Sequence, residues 1–237
     1  MIDLVVREPT HLDILLEAVV GSRAYGLDHK DSDIDRFGIF KASNSDLLGL
    51  HWTQNKESYV THEPGDATYH EVAKFIRLAL KCNPTVTELL WMNEYSATSP
   101  AGNLLLEHRK IFLSTKYVRD AYGGYARQQV DRLITRNDGT FSSSTKNRTA
   151  KHGRHTFRLL MQGLDLLETG KLQVRLTPHN AAVCKEAGEL AATNINKFID
   201  NFKEAEMHFR NAYSILPSKP DEKTANDLLL AIRFGDV

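Results

Sequence analysis

Polar and apolar residues alternate over residues 33–40 (Asp-Ile-Asp-Arg-Phe-Gly-Ile-Phe), which puts Asp33, Asp35, Phe37 and Ile39 on one face of a predicted strand. A short β-prone run at residues 16–20 precedes it and stops at Gly21-Ser22, and residues 23–30 read as a turn or short helix. Residues 43–49 read as a loop. A third strand is predicted over 56–61, with Pro64-Gly65 leaving open whether it runs on to Asp66. From Thr68 the period changes. Thr68 and Glu71 have capping-box spacing, and Val72, Phe75, Ile76, Ala79 and Leu80 form an i, i+3, i+4, i+7, i+8 stripe, so a helix is predicted to start there. Asn83-Pro84 stops it, and Thr85 with Glu88 starts another.

Ser99-Pro100 is the predicted boundary between two halves, residues 1–99 and 100–237. Beyond it a long helix is expected over 114–136, then a polar, Gly/Ser-rich mobile loop over 137–147. A helix over 148–168 turns Phe157, Leu160, Met161, Leu164 and Leu167 inward and ends at Gly170. A short strand at 172–176, a helix opening at Thr177-Pro178, and helices over 195–215 and 226–232 complete the pattern. Strands first and helices after make an α+β class. There is no internal repeat.

At 41% hydrophobic and 25% charged residues the composition is that of a folded globular chain. No apolar run suffices for a membrane span, and Met1-Ile2-Asp3-Leu4 carries an acid where a signal peptide needs basic residues. Cys82 and Cys184 make neither a disulfide framework nor a metal cluster, so a cytoplasmic location is expected. The formal charge is zero, but residues 1–100 hold 9 Lys/Arg against 15 Asp/Glu, and residues 101–160 hold 12 against 4. An acidic first part and a basic middle suit a molecule that gathers cations in one half and phosphates in the other.

The chemistry concentrates at Gly21-Ser22-Arg23-Ala24-Tyr25-Gly26 and Asp31-Ser32-Asp33-Ile34-Asp35. Two carboxylates at i and i+2 of a strand share a face and repel, and a hard divalent cation such as Mg²⁺ relieves that repulsion. The Gly-Ser turn offers backbone N–H groups and a hydroxyl to a phosphate. Asp28 and Asp31 read as solvated turn residues. On the helix from Arg148, Lys151, His152, His155 and Arg158 form a cationic patch suited to a triphosphate or an acceptor phosphate. Tyr117, Tyr122, Tyr125, Trp52 and Trp91 are expected in the core.

The pattern Gly-Ser-Arg-Ala-Tyr-Gly…Asp-Ser-Asp-Ile-Asp resembles the DNA polymerase beta superfamily of nucleotidyltransferases, in the minimal bacterial and phage form found beside RNA-repair ligases. The likeness continues through Tyr69 to Phe75, Leu78 to Lys81, Asn83 to Trp91, Lys151 to Leu160 and Leu167 to Gly170. It implies a small mixed-sheet nucleotidyltransferase domain followed by a helical domain, an NTP substrate, Mg²⁺ (or Mn²⁺) as cofactor, and RNA as the favoured acceptor. It maps the nucleotide-binding turn onto Gly21 and Ser22, with Arg23 beside them, and the first two metal carboxylates onto Asp33 and Asp35. The third is looser: Asp66 is the choice and Glu71 the alternative. Arg148 and His155 also meet the loose spacing of the small ribonuclease domains that accompany minimal nucleotidyltransferases. A non-catalytic nucleotide-binding or antitoxin-like module, and nucleotidylation of a protein or small molecule, are the competing functions.

Overall fold

The computed structural model describes residues 12–30, 32–50, 57–62, 65–135 and 143–235. Asp31, Trp52, Lys56, Pro64 and residues 137–142 lie outside that set. Five strands form a mixed sheet: β1 (Asp13–Val20), β2 (Asp35–Lys41), β3 (Ser58–Thr61), β4 (Ala67–Glu71) and β5 (Ala97–Thr98), in the order β3-β4-β2-β1-β5. β1 is antiparallel to β2 and β5, and β4 is antiparallel to β3. β4 runs parallel to β2, with Arg36 opposite Ala67 and Phe40 opposite Glu71. That register sets Asp66 beside the start of β2.

Alternation along β2 fills both faces of the sheet. Phe37 and Ile39 enter the main core with Leu16, Ala18, Phe75 and Ile76, while Phe40 joins Ala42, Ala67 and Tyr69 on the opposite side. Each such large side chain contributes about 1.5–3 kcal/mol when fully withdrawn from water.

Local order departs from the sequence pattern at several points. β4 occupies residues 67–71, where a helix start was expected at Thr68, and Glu71 is itself the N-cap of α3 (Val72–Ala79), accepting from the Ala73 N–H. The apolar stripe does belong to α3; only the cap was misplaced. A short helix α1 (Ser22–Tyr25) follows β1. Another, α2 (Asn44–Leu48), replaces the expected loop because Ser43 caps it through the Asp46 N–H. α4 (Pro84–Leu89) begins at the proline, capped by Asn83 rather than by Thr85. Asp33 lies just before β2, not within a strand.

α5 (Pro100–Glu107), capped by Ser99, packs on β1 so tightly that a Cβ on Gly102 would meet the Leu15 carbonyl oxygen at 2.0 Å. A 3-10 turn at Arg109–Phe112 leads to α6 (Thr115–Thr135). α7 (Ser143–Thr169) starts five residues before the expected helix, so residues 143–147 are helical and not loop. α8 (Pro178–Thr193), α9 (Ile195–Asn211) and α10 (Glu222–Phe234) follow. The strand expected at 172–176 is absent: Leu172 and Val174 are buried, but the Val174 carbonyl is met by the Gln162 amide at 3.4 Å instead of a ladder. α7 and α8 touch backbone to backbone, since a Cβ on Gly153 or Gly188 would lie 2.8 or 2.7 Å from the other helix's carbonyl oxygens. α10 returns to the first half, where Arg233 Nη1 pairs with the buried Glu71 Oε1 at 2.6 Å.

Candidate active site

A cleft of about 340 Å³ opens between the sheet's β1–β2 end and α7. Gly21 sits at its base with φ 74° and ψ −150°, a backbone region open essentially to glycine alone. A Cβ there would stand 2.8 Å from Asp35 Oδ2. Only a bare backbone lets the Gly-Ser turn pack against that carboxylate. Ser22 opens α1 and also lines the cleft.

Arg23 does not face the cleft. Its Nη2 donates to the Ser32 carbonyl at 2.6 Å and its Nε to the Asp33 carbonyl at 3.2 Å, so it ties the acid-bearing segment to α1. Two of its donor nitrogens thus position that segment, and Arg23 is not among the residues that line the cleft where the nucleotide contact was expected.

Asp33 and Asp35 both line the cleft, with Asp33 exposed and Asp35 partly buried. Burial pushes the Asp35 carboxyl above the usual range; the Lys151 ammonium opposes this, and the charges of Asp33 and Asp66 add to it. Asp66 is thus within the electrostatic reach of Asp35, held there as its backbone oxygen accepts from the Arg36 N–H at 2.8 Å. Its carboxylate is exposed and rests on His62 Nδ1 at 2.8 Å. Glu71 points away, buried at 1% exposure, its oxygens taken by Arg233, the Ala73 N–H and the Ala42 N–H. Of the two candidates for the third acid, only Asp66 acts on Asp35. Among the described residues, no three acidic, histidine or cysteine side chains are already close enough to enclose a metal ion. The fit to a divalent cation therefore rests on the Asp33–Asp35 charge pair and its raised carboxyl, with Asp66 required to turn from His62.

The opposite wall belongs to α7, which presents Lys151, Arg154, His155 and Arg158. His152 is not on it: its Nδ1 meets Gln129 Oε1 of α6 at 2.7 Å, on another side of the helix. Arg148 is exposed and lies outside the cleft, so the ribonuclease spacing does not bring its two residues together in this site. Arg158 is 4% exposed and forms a buried ion pair with Glu88 of α4. It also bonds Gln162 Oε1 at 2.6 Å and stacks 3.8 Å over the Tyr25 ring. Its charge is compensated in the interior, unlike that of the surface clamp expected. Burial, then Arg158 and Lys151, press the His155 imidazole down to about 3, so it is neutral, not the cation its helix position suggested.

The family model for the RNA repair pathway DNA polymerase beta family, RlaP, matches residues 4–215. The chain belongs to the RlaP family. It is a nucleotidyltransferase of the polymerase beta type, as the Gly-Ser and Asp-x-Asp pattern led us to expect, and its family is one of RNA repair. That membership sets aside the non-catalytic binding module. No curated protein matches the sequence. Among the described residues, no helix is long and apolar enough to cross a membrane.

In this RlaP chain the match extends past Gly170, the last residue of the sequence resemblance, and α10 lies beyond it. Sequence reasoning missed Arg154, Tyr25 and Glu88. Arg154 had a signal, since 151, 154, 155 and 158 are an i, i+3, i+4, i+7 stripe. Glu88 had none: it is 70 residues from Arg158 and reads as an ordinary first-turn acid.

Proposed function

We propose that this RlaP enzyme moves a nucleoside monophosphate from an NTP to a hydroxyl of RNA and releases pyrophosphate. Asp33, Asp35 and Asp66 hold Mg²⁺ (or Mn²⁺), and the Gly21-Ser22 turn, Lys151 and Arg154 hold the phosphates. The bound divalent ion neutralises phosphate charge and makes the acceptor hydroxyl more acidic. The acceptor oxygen bonds to the α-phosphorus, the bond from that phosphorus to the β-phosphate oxygen breaks, and Asp66 helps take the hydroxyl proton. Residues 1–99 act as the nucleotidyltransferase unit and residues 100–237 as the helical unit that walls the cleft.

The observation that carries this reading is that Asp33 and Asp35 line one cleft with the Gly21 turn and Lys151 of α7, with the charge of Asp66 acting on Asp35. Acid cluster and cation wall match the two ends of a metal–triphosphate. Incubation with each α-labelled NTP and Mg²⁺, alone and with total RNA, tests it. Label is expected on RNA. Label on the protein or on a small molecule replaces the acceptor, and no transfer from any NTP overturns the reading.

A further inference from the structure

The cleft holds a histidine whose partner cannot accept a hydrogen bond. Arg158 Nη2 lies 3.2 Å from His155 Nδ1. A guanidinium carries donors only, so Nδ1 accepts and the ring hydrogen sits on Nε2. The guanidinium is itself fixed. Glu88 and Gln162 take its Nη1, and Tyr25, which lies under it, donates its hydroxyl to the second Glu88 oxygen at 2.7 Å. Tyr25 also meets the imidazole edge-on at 6.4 Å. Arg158 itself is buried. Around the ring, Arg158, Lys151, His152 and Arg154 of α7 all oppose a second proton, while Tyr25 faces it from α1 and Glu88 stands behind Arg158. His155 lines the same cleft as Lys151 and Arg154.

We infer that His155 is a neutral donor of one tautomer, giving its Nε2–H to a phosphate oxygen of the nucleotide, with Glu88 and Arg158 as positioning residues that fix that tautomer. The inference rests on the reading of this cleft as an NTP site. Phosphate is the acceptor because Lys151 and Arg154 share the cleft. A neutral donor adds a directional contact whose strength does not change with pH near neutrality, which an imidazolium would not do.

Imidazole ¹⁵N NMR of the free, full-length protein tests the tautomer. A protonated Nε2 and a bare Nδ1 are expected from about pH 5.5 to 8. An averaged tautomer or a doubly protonated ring overturns the inference. Arg158→Met, which removes the donor, should mix the tautomers if it folds, and an unchanged single tautomer refutes the positioning role; if it does not fold, the wild-type spectrum still decides. Calorimetric titration with each of the four NTPs and Mg²⁺ tests the contact. His155→Gln keeps an N–H near the Nε2 position, and His155→Phe keeps a ring without one. The phenylalanine variant should bind about tenfold more weakly and the glutamine variant within about threefold of wild type. Their ratio should stay flat with pH; a rise toward pH 5.5 in the advantage of wild type means an imidazolium contact and overturns the inference. Equal affinities for all three proteins sink the role of His155 and leave the NTP site standing. No binding of any NTP by wild type sinks the site itself.

Discussion

Gly21 and Asp35 are locked together: the glycine's missing Cβ is the space in which the Asp35 carboxylate sits, 2.8 Å from where that carbon would be. The turn and the acid are one unit, though 14 residues apart. Gly21→Ala should therefore strain the turn, at φ 74° and ψ −150°, by about 1–3 kcal/mol and push Asp35 out of line. We expect a lowered melting temperature and a loss of transfer beyond what the unfolded fraction explains. Activity at the wild-type level in the folded mutant would separate the turn from the chemistry.

Asp33→Asn and Asp35→Asn should each abolish transfer and leave the fold intact. The Asp35 carboxyl is raised first by burial and further by Asp33 and Asp66, so its ionised form works against folding when no cation is present. The metal-free Asp35→Asn protein should melt no lower than wild type at neutral pH. Added Mg²⁺ should raise the melting temperature of wild type more than that of the mutant.

Asp66 and Glu71 differ in what their loss does. Asp66→Asn should lower turnover while NTP affinity is largely kept, because Asp33 and Asp35 remain. Glu71→Gln instead breaks the buried pair with Arg233 and should cost about 3 kcal/mol of stability. Transfer per folded molecule should be unchanged in it. Turnover, affinity and melting measured on both mutants give opposite patterns.

This pair of residues also shows where local pattern misleads. Thr68 and Glu71 carry capping-box spacing directly ahead of a true helical stripe, yet residues 67–71 pair with β2 as a parallel strand. The pairing is a long-range event, and only Ala67, Tyr69 and Glu71, buried in alternation, betray it. The meeting of Gly21 and Asp35 was legible because a Gly-Ser turn and a strand start are local signals, whereas Asp33 lines the cleft from the segment before β2 and not from the strand face expected. The fate of Arg158 was not, because a helix pattern gives its face but not the Glu88 that waits there from α4. Arg23 likewise looked like part of a phosphate turn until its donors met the Ser32 and Asp33 carbonyls.

Acid–base behaviour offers a test away from the cleft. Burial, with a smaller push from Glu168, raises the Asp165 carboxyl on α7 from 3.8 to about 6. The folded state therefore binds this proton more tightly than the unfolded state. Its contribution to stability is full below about 3.8 and is lost as pH rises through about 6. Asp165→Asn should gain about 1 kcal/mol over wild type at pH 7.5, discounted because the carboxylate is only half buried. Urea unfolding should show that gap closing by pH 4. A gap independent of pH would mean the asparagine acts through packing.

Lys151 and Arg154 decide which phosphate the cationic wall serves. Lys151 is exposed, lines the cleft and bears on the Asp35 carboxyl, so it is the cation of the wall that reaches the acids. Lys151→Ala removes the cation that holds that carboxyl down, and the Asp35 titration followed by NMR should move further up. Lys151→Ala and Arg154→Ala should each weaken NTP binding about tenfold while leaving nucleoside binding nearly unchanged, because the lost contact is to phosphate. A wall that serves the acceptor instead gives another pattern. NTP affinity then holds, RNA affinity falls, and the slope of log affinity against log salt flattens by about 0.7 for each single-strand phosphate contact removed. Titrating NTP and RNA separately against the two mutants tells these apart, and the Asp35 titration ties the answer to the acids across the cleft.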